Sequence, residues 1–370
     1  MASSSTSPAS PEDPSVSTRS IDLPDGTKAS YVRIPPASAS ETASATTAAV
    51  VHFGALSGCS AATLPWTDLW KSFCKTASLI TVDRPCCHET SPVPEETSTT
   101  TTNEDKDTRK DWVLHRMRVN TRNVLAVLQA EKIDTVYILA VCLGHAYAID
   151  FARELLLHHS KTMQLKDISL VAPFVSTACS QTWFLARLGN SVPSFLLSGA
   201  TDLMITMGTT LTPYFITPSA IRGLLSEDEQ AAWKDPEDYE HVCRIITTTR
   251  PITQSVQALE ARFGSSAVWQ QVIDDFALVA GYGLKTDSNK VESNNKYEGP
   301  FLFPRIKIHA SPNDRMVSTA AVEWLSERCY ANAEIILHPE VSSHTSMTFL
   351  GGPPRNPRLL QEICQTEFGL

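Results

Sequence analysis

Short apolar runs and longer amphipathic stretches alternate along most of this chain. Ala48–Phe53 and Ala77–Val82 are rich in β-branched and other apolar residues, and they stop at Gly54 and at Asp83-Arg84-Pro85. Runs apolar on both sides predict strands buried in a parallel sheet rather than strands with one wet face. Residues 64–76 between them have helical spacing. So do residues 111–131, with Val119, Val124, Leu125, Val127 and Leu128 at the apolar positions. Residues 136–141 read as the next strand. Ala148, Phe151, Ala152 and Leu155 then fall at i, i+3, i+4 and i+7, the one-sided stripe of a helix packed on a sheet. Residues 165–174 predict a further strand and its exit loop. After a long gap the alternation resumes with a strand over 301–310, a helix over 318–330, a strand over 333–338 and a closing helix over 357–368. This order predicts an α/β fold, a mostly parallel central sheet with helices on both faces. In front of it, alternating residues 18–23 and 29–34 flank Pro24-Asp25-Gly26, which is a hairpin signal.

Three segments break the pattern. Residues 1–16 are rich in Ser and Pro and lack an apolar run, so they predict a disordered tail and not a secretory signal. Residues 36–47 form a Ser/Ala/Thr linker, and 89–110 a polar surface loop. The third and largest, 176–299, shows apolar helical stretches at 183–188, 195–207, 220–225, 242–246 and 255–276 but no strand alternation. It predicts a helical lid inserted into an α/β core made of 17–175 and 300–370. Its Phe, Leu, Met and Trp either line an apolar ligand pocket or pack the insertion onto the core. The Asn-rich residues 287–297 read as its exit loop. There is no internal repeat.

Composition narrows the chemistry. With 370 residues, 42% hydrophobic and 19% charged, the chain is that of a soluble globular protein able to bury a large core. A net charge of −9 argues against nucleic acid as a partner. No apolar run of about 18 residues predicts an integral membrane segment. Nine cysteines without a secretory signal predict reduced thiols in the cytoplasm. There is no Cys-x-x-Cys pair, and Cys86-Cys87 has no His or Cys at zinc-ligand spacing, so no metal and no cofactor are expected.

The stretch Ala140-Val141-Cys142-Leu143-Gly144 follows the strand at 136–141 and precedes the helical stripe. Small residues flanking a nucleophile at a sharp strand-to-helix turn are the layout of a nucleophile elbow, here with a thiol. The small flanks let the backbone pass. The following helix turns its N-terminal N–H groups toward the tip, which favours an anion such as a thiolate. A buried cysteine serves equally well as a compact core residue, so the pentapeptide does not decide alone. Asp314 follows a later strand and His344 follows the last one. Catalytic groups collect at the carboxyl ends of such strands. Imidazole can take the thiol proton, a carboxylate can orient the imidazole, and backbone N–H groups of Leu143 and Ala55 can hold an oxyanion. Alternatives stay open here. Asp314 in Pro312-Asn313-Asp314 also suits a tight turn, and His344 also suits a surface loop. His338 is a rival for the base, better placed as a structural residue.

On Phe53-Gly54-Ala55, Asp83-Arg84-Pro85, the elbow at Cys142, Asp314 and His344, taken in that order, residues 18–370 resemble the α/β-hydrolase superfamily, its branch with a helical lid. The chain departs at Phe53, where the family has His, at Ala140-Val141-Cys142, where it has Gly-His-Ser, and at Cys86-Cys87, where a glycine is common. The resemblance implies the α/β-hydrolase fold and the triad Cys142, His344, Asp314, acting on an ester, thioester or lactone, and the apolar composition of the lid suggests a hydrophobic small-molecule acyl substrate. Acyl transfer from the same thioacyl intermediate is one alternative. A non-catalytic ligand-binding protein of this fold is the other.

Overall fold

The computed structural model describes residues 17–37, 47–55, 60–85, 87–93, 108–174, 304–314, 317–329, 333–341 and 357–370, with positions 272, 274, 275, 279, 347 and 350 besides. The tail 1–16, residues 38–46 of the linker at 36–47, most of the loop at 89–110, all but four positions of the lid at 176–299, and His344 lie outside the described residues.

Eight strands form one sheet: β1 (Thr18–Asp22), β2 (Lys28–Ile34), β3 (Ala48–Phe53), β4 (Ala77–Val82), β5 (Thr135–Val141), β6 (Gln164–Val171), β7 (Arg305–Ala310) and β8 (Ala333–Leu337). Their spatial order is β1-β2-β4-β3-β5-β6-β7-β8. The hairpin strands pair antiparallel with each other and β2 pairs antiparallel with β4; every later pairing is parallel. All residues of β4, and all of β3 after its first, are buried, which explains their unbroken apolar sequence. Glu131, at the end of the long helix behind the sheet, accepts bonds from Arg19, Tyr31 and Arg33 and so ties the hairpin to the layer behind it.

Among the described residues, the α-helices with both ends placed are α1 (Thr67–Phe73), α2 (Thr108–Ala130), α3 (Gly144–Glu154), α4 (Thr319–Cys329) and α5 (Arg358–Glu362). Some boundaries differ from the sequence pattern. The helix expected at 64–76 is a 3-10 segment, Ser60–Trp66, running into the shorter α1. Pro65 lies inside the first part and has no N–H for an α-helical bond. α2 begins at Thr108, inside the stretch expected to be loop, because the polar first turn of a surface helix is not distinguishable from loop by composition. β7 begins at Arg305, after Pro304. The closing helix ends in a π-helical turn, Ile363–Glu367.

Within the stretch expected as lid, Val272 and Val279 are buried in the core. Asp275 pairs with Arg153 of α3 at 3.0 Å and lies 3.7 Å from Arg118 of α2. No helix among the described residues is long and apolar enough to cross a membrane.

Candidate active site

β5 delivers the chain to Cys142, and α3 carries it away from Gly144. The turn between them is sharp. Cys142 has φ +50°, in the left-handed region that costs an L-residue about 1–2 kcal/mol. Bonds on both sides of the residue hold it there. Its N–H donates to Val171 O of β6 at 2.9 Å. Its carbonyl accepts His145 N–H and Phe174 N–H, each at 3.3 Å, and the His145 ring Nδ1 at 2.8 Å. A carbonyl only accepts, so Nδ1 of His145 carries the proton. Burial pushes His145 down to about 4, against the raising effect of that carbonyl bond, so the ring is neutral at pH 7. The Cys142 side chain is nearly buried, at 8% exposure.

Gly144 has no room for any side chain. An added Cβ would lie 2.2 Å from Phe53 O and 2.5 Å from Gly54 O. The start of α3 therefore packs directly on the backbone turn after β3, which carries Ala55. No side chain caps the α3 N-terminus; its His145 and Ala146 N–H groups turn back onto the Cys142 and Leu143 carbonyls, each at 3.3 Å. The two segments expected to form an oxyanion hole, at Leu143 and Ala55, are thus in contact through their main chains.

The turn after β3 is held from behind. Arg84 Nη2 donates to Gly54 O at 2.7 Å, and its guanidinium lies 4.3 Å above the ring of Tyr147 on α3. Asp83 accepts Ser60 N–H at 2.6 Å, Ser60 Oγ at 3.0 Å and Ser30 Oγ at 2.6 Å. Burial raises its carboxyl despite these bonds. His52, at the end of β3, is pushed down to about 3 by burial and by the charge of Arg84, so it stays neutral.

Solved structures share this architecture. MGS-M2, an α/β hydrolase enzyme from a Medee basin deep-sea metagenome library, matches with a TM-score of 0.54 at 15% identity, covering 93% of this chain and 95% of its own. A hydrolase from Pseudomonas aeruginosa matches with a TM-score of 0.54 at 11% identity, covering 96% of this chain and 99% of its own. The fold is that of the α/β hydrolases. No protein-family model and no curated protein matches the sequence.

In this α/β-hydrolase fold Asp314 sits on the loop leaving β7, nearly buried. One carboxylate oxygen accepts Val317 N–H at 2.9 Å, and Asp314 N–H donates to Ser311 O at 3.1 Å. The turn-forming role open in the sequence is therefore real, and it fixes the carboxylate on its loop. That loop is tied to the one leaving β8. Ser311 Oγ donates to Val341 O, and Asn313 Nδ2 donates to Pro339 O at 3.1 Å. Val341 precedes His344 by three residues in the sequence.

His338, the sequence rival, is buried in a hydrogen-bonded chain. Its Nε2 lies 2.9 Å from Nδ1 of His309, and its Nδ1 lies 3.2 Å from Glu340. His309 Nε2 lies 3.1 Å from Glu367, whose other oxygen accepts Ser169 Oγ at 2.7 Å. Burial raises Glu367, but the His309 bond and charge, the Ser169 bond and Lys307 outweigh it and hold the carboxyl below its usual range. Sequence pattern did not reveal this chain, because Glu367 is brought in from the C-terminal turn. Among the described residues no group of three His, Cys, Asp or Glu is placed to hold a metal ion.

Proposed function

We propose that this protein is a hydrolase that cleaves an ester, thioester or lactone with a hydrophobic acyl part, through an acyl-cysteine intermediate on Cys142. The observation that carries the reading is Cys142 at φ +50° between β5 and α3, with Gly144 packed on the Phe53–Gly54 carbonyls. A strained, thiol-bearing turn at the strand ends, beside two candidate N–H donors, is costly to build and serves acyl chemistry directly. The clamp between the Asp314 loop and Val341 supports the pairing of that carboxylate with His344.

In this mechanism the Cys142 sulfur attacks the substrate carbonyl carbon while His344 takes the thiol proton. Asp314 holds the imidazole and stabilises its cation. The oxyanion is held by the N–H groups of Leu143 and Ala55. Collapse expels the alcohol or thiol, which leaves with the proton from His344. Water then attacks the acyl-cysteine, giving its proton to His344, and the acid is released with the thiol restored. In this proposal residues 176–299 serve as the apolar cover for the acyl group, and a nucleophilic thiol suits the reducing cytoplasm.

The test is turnover of aryl esters and acyl thioesters of increasing chain length by wild type, Cys142→Ala and Cys142→Ser. Hydrolysis by wild type and none above background by Cys142→Ala is the expected result. Equal turnover by wild type and Cys142→Ala overturns the reading. Faster loss of substrate with an added alcohol or amine, together with the transferred product, assigns acyl transfer instead of hydrolysis.

A further inference from the structure

An oxyanion hole built from Leu143 and Ala55 has a mechanical problem. The two N–H groups come from segments far apart in the chain, and both must point at one spot to within a fraction of an ångström. The close approach at Gly144 prevents the segments from moving nearer. Steric contact alone does not stop them from moving apart, nor does it fix the tilt of the peptide that carries Ala55.

The geometry points to Arg84 as the positioning residue that holds the two halves of the oxyanion hole together and aims the Ala55 N–H; this rests on the proposed acyl-cysteine hydrolase site. Arg84 is 3% exposed. Its Nη2 bonds Gly54 O at 2.7 Å, and that carbonyl belongs to the same planar peptide as the N–H of Ala55. In a trans peptide the C=O and N–H point in opposite directions, so gripping one end sets the direction of the other. A cation on the oxygen also polarises the peptide and makes its N–H a stronger donor toward an anion.

The same guanidinium stacks on Tyr147, one helical turn beyond Leu143 on α3. One rigid, planar group therefore touches both segments. A lysine could supply the charge, but it could not donate to the carbonyl and stack on the ring in the same way. The preceding residue completes the device. Asp83 holds Ser60 through its N–H and hydroxyl, so the chain from Gly54 to Ser60 is pinned at both ends by neighbours in sequence.

The test uses Arg84→Lys, Arg84→Met and Tyr147→Leu in the full chain. Aryl-ester hydrolysis gives kcat and KM separately. Iodoacetamide alkylation of Cys142 reports the nucleophile without an oxyanion, and amide hydrogen exchange of residues 48–55 reports the clamp without any turnover. For Arg84→Lys the expected result is a kcat lower by about 10²-fold with KM within about threefold, because the lost donor acts in the transition state. Alkylation should stay within about twofold, and exchange at 54–55 should quicken by about tenfold or more. Tyr147→Leu should show the same pattern more weakly. Unchanged exchange with kcat within about threefold in both Arg84 variants overturns the proposal. If wild type hydrolyses none of the esters, the proposed hydrolase function fails; exchange then decides alone, and an unchanged rate overturns the clamp.

Discussion

Gly144→Ala tests how tightly the elbow is built. The added methyl would meet three backbone atoms: Phe53 O at 2.2 Å, Gly54 O at 2.5 Å and Phe53 C at 2.8 Å. None is the end of a flexible side chain. To restore an ordinary contact, β3 or α3 must retreat by roughly 1 Å, a strain of the kind that costs about 1–3 kcal/mol when a packed core is overfilled. The retreat also separates the Leu143 and Ala55 donors, and a shift of about 1 Å in a catalytic array can cost about 10²-fold in rate. Urea unfolding should therefore show a stability loss of about 1–3 kcal/mol with an unchanged m-value, and ester turnover should fall by about 10²-fold. A variant that matches wild type in both would refute the claim that the two main chains are in contact at this point.

Two further perturbations address the groups around the site. Burial raises Asp150 to about 6, against the Thr121 bond and the Arg118 charge. A raised carboxyl stabilises the native state in acid, below its unfolded value of about 4, and this is lost as pH rises through about 6, roughly 3 kcal/mol in all. Urea midpoints of wild type and Asp150→Asn across pH 4–7 should diverge by that amount in favour of the variant as pH rises; parallel curves would count against it. Replacing His309 by Ala removes the ring between His338 and Glu367, at 2.9 and 3.1 Å, and leaves a buried carboxylate short of its partner. Ser169 and Lys307 still face Glu367, so the expected loss is about 1–3 kcal/mol by denaturant titration, and an unchanged midpoint contradicts a stabilising His309–Glu367 contact.

The residues that were legible in the sequence are those whose role is local. Cys142 stood out because an apolar strand, two small flanks and a helical stripe meet there, and the positive φ and the crowding at Gly144 are the physical reasons for that pattern. Asp314 was legible by position, after a strand, and its turn-forming bond to Val317 coexists with the proposed role. Arg84 was visible only as part of a strand-end motif. Its bond to Gly54 and its stack on Tyr147 join three separate segments, and no local spacing encodes that. The same holds for His309 and Glu367, whose pairing depends on where the C-terminal turn docks. The helix expected from residue 64 starts only at Thr67, because Ser60–Trp66, with Pro65 in it, is wound as a 3-10 segment.

The most direct measurement is the intact mass of the protein quenched during turnover of an aryl ester, followed by peptide mapping. An acyl-cysteine mechanism predicts a mass gain equal to the acyl group, carried by the peptide containing Cys142, absent in Cys142→Ala and shifting with the acyl chain supplied. Hydrolysis proceeding with no adduct under rapid quench, or an adduct on another residue that persists in Cys142→Ala, would contradict it.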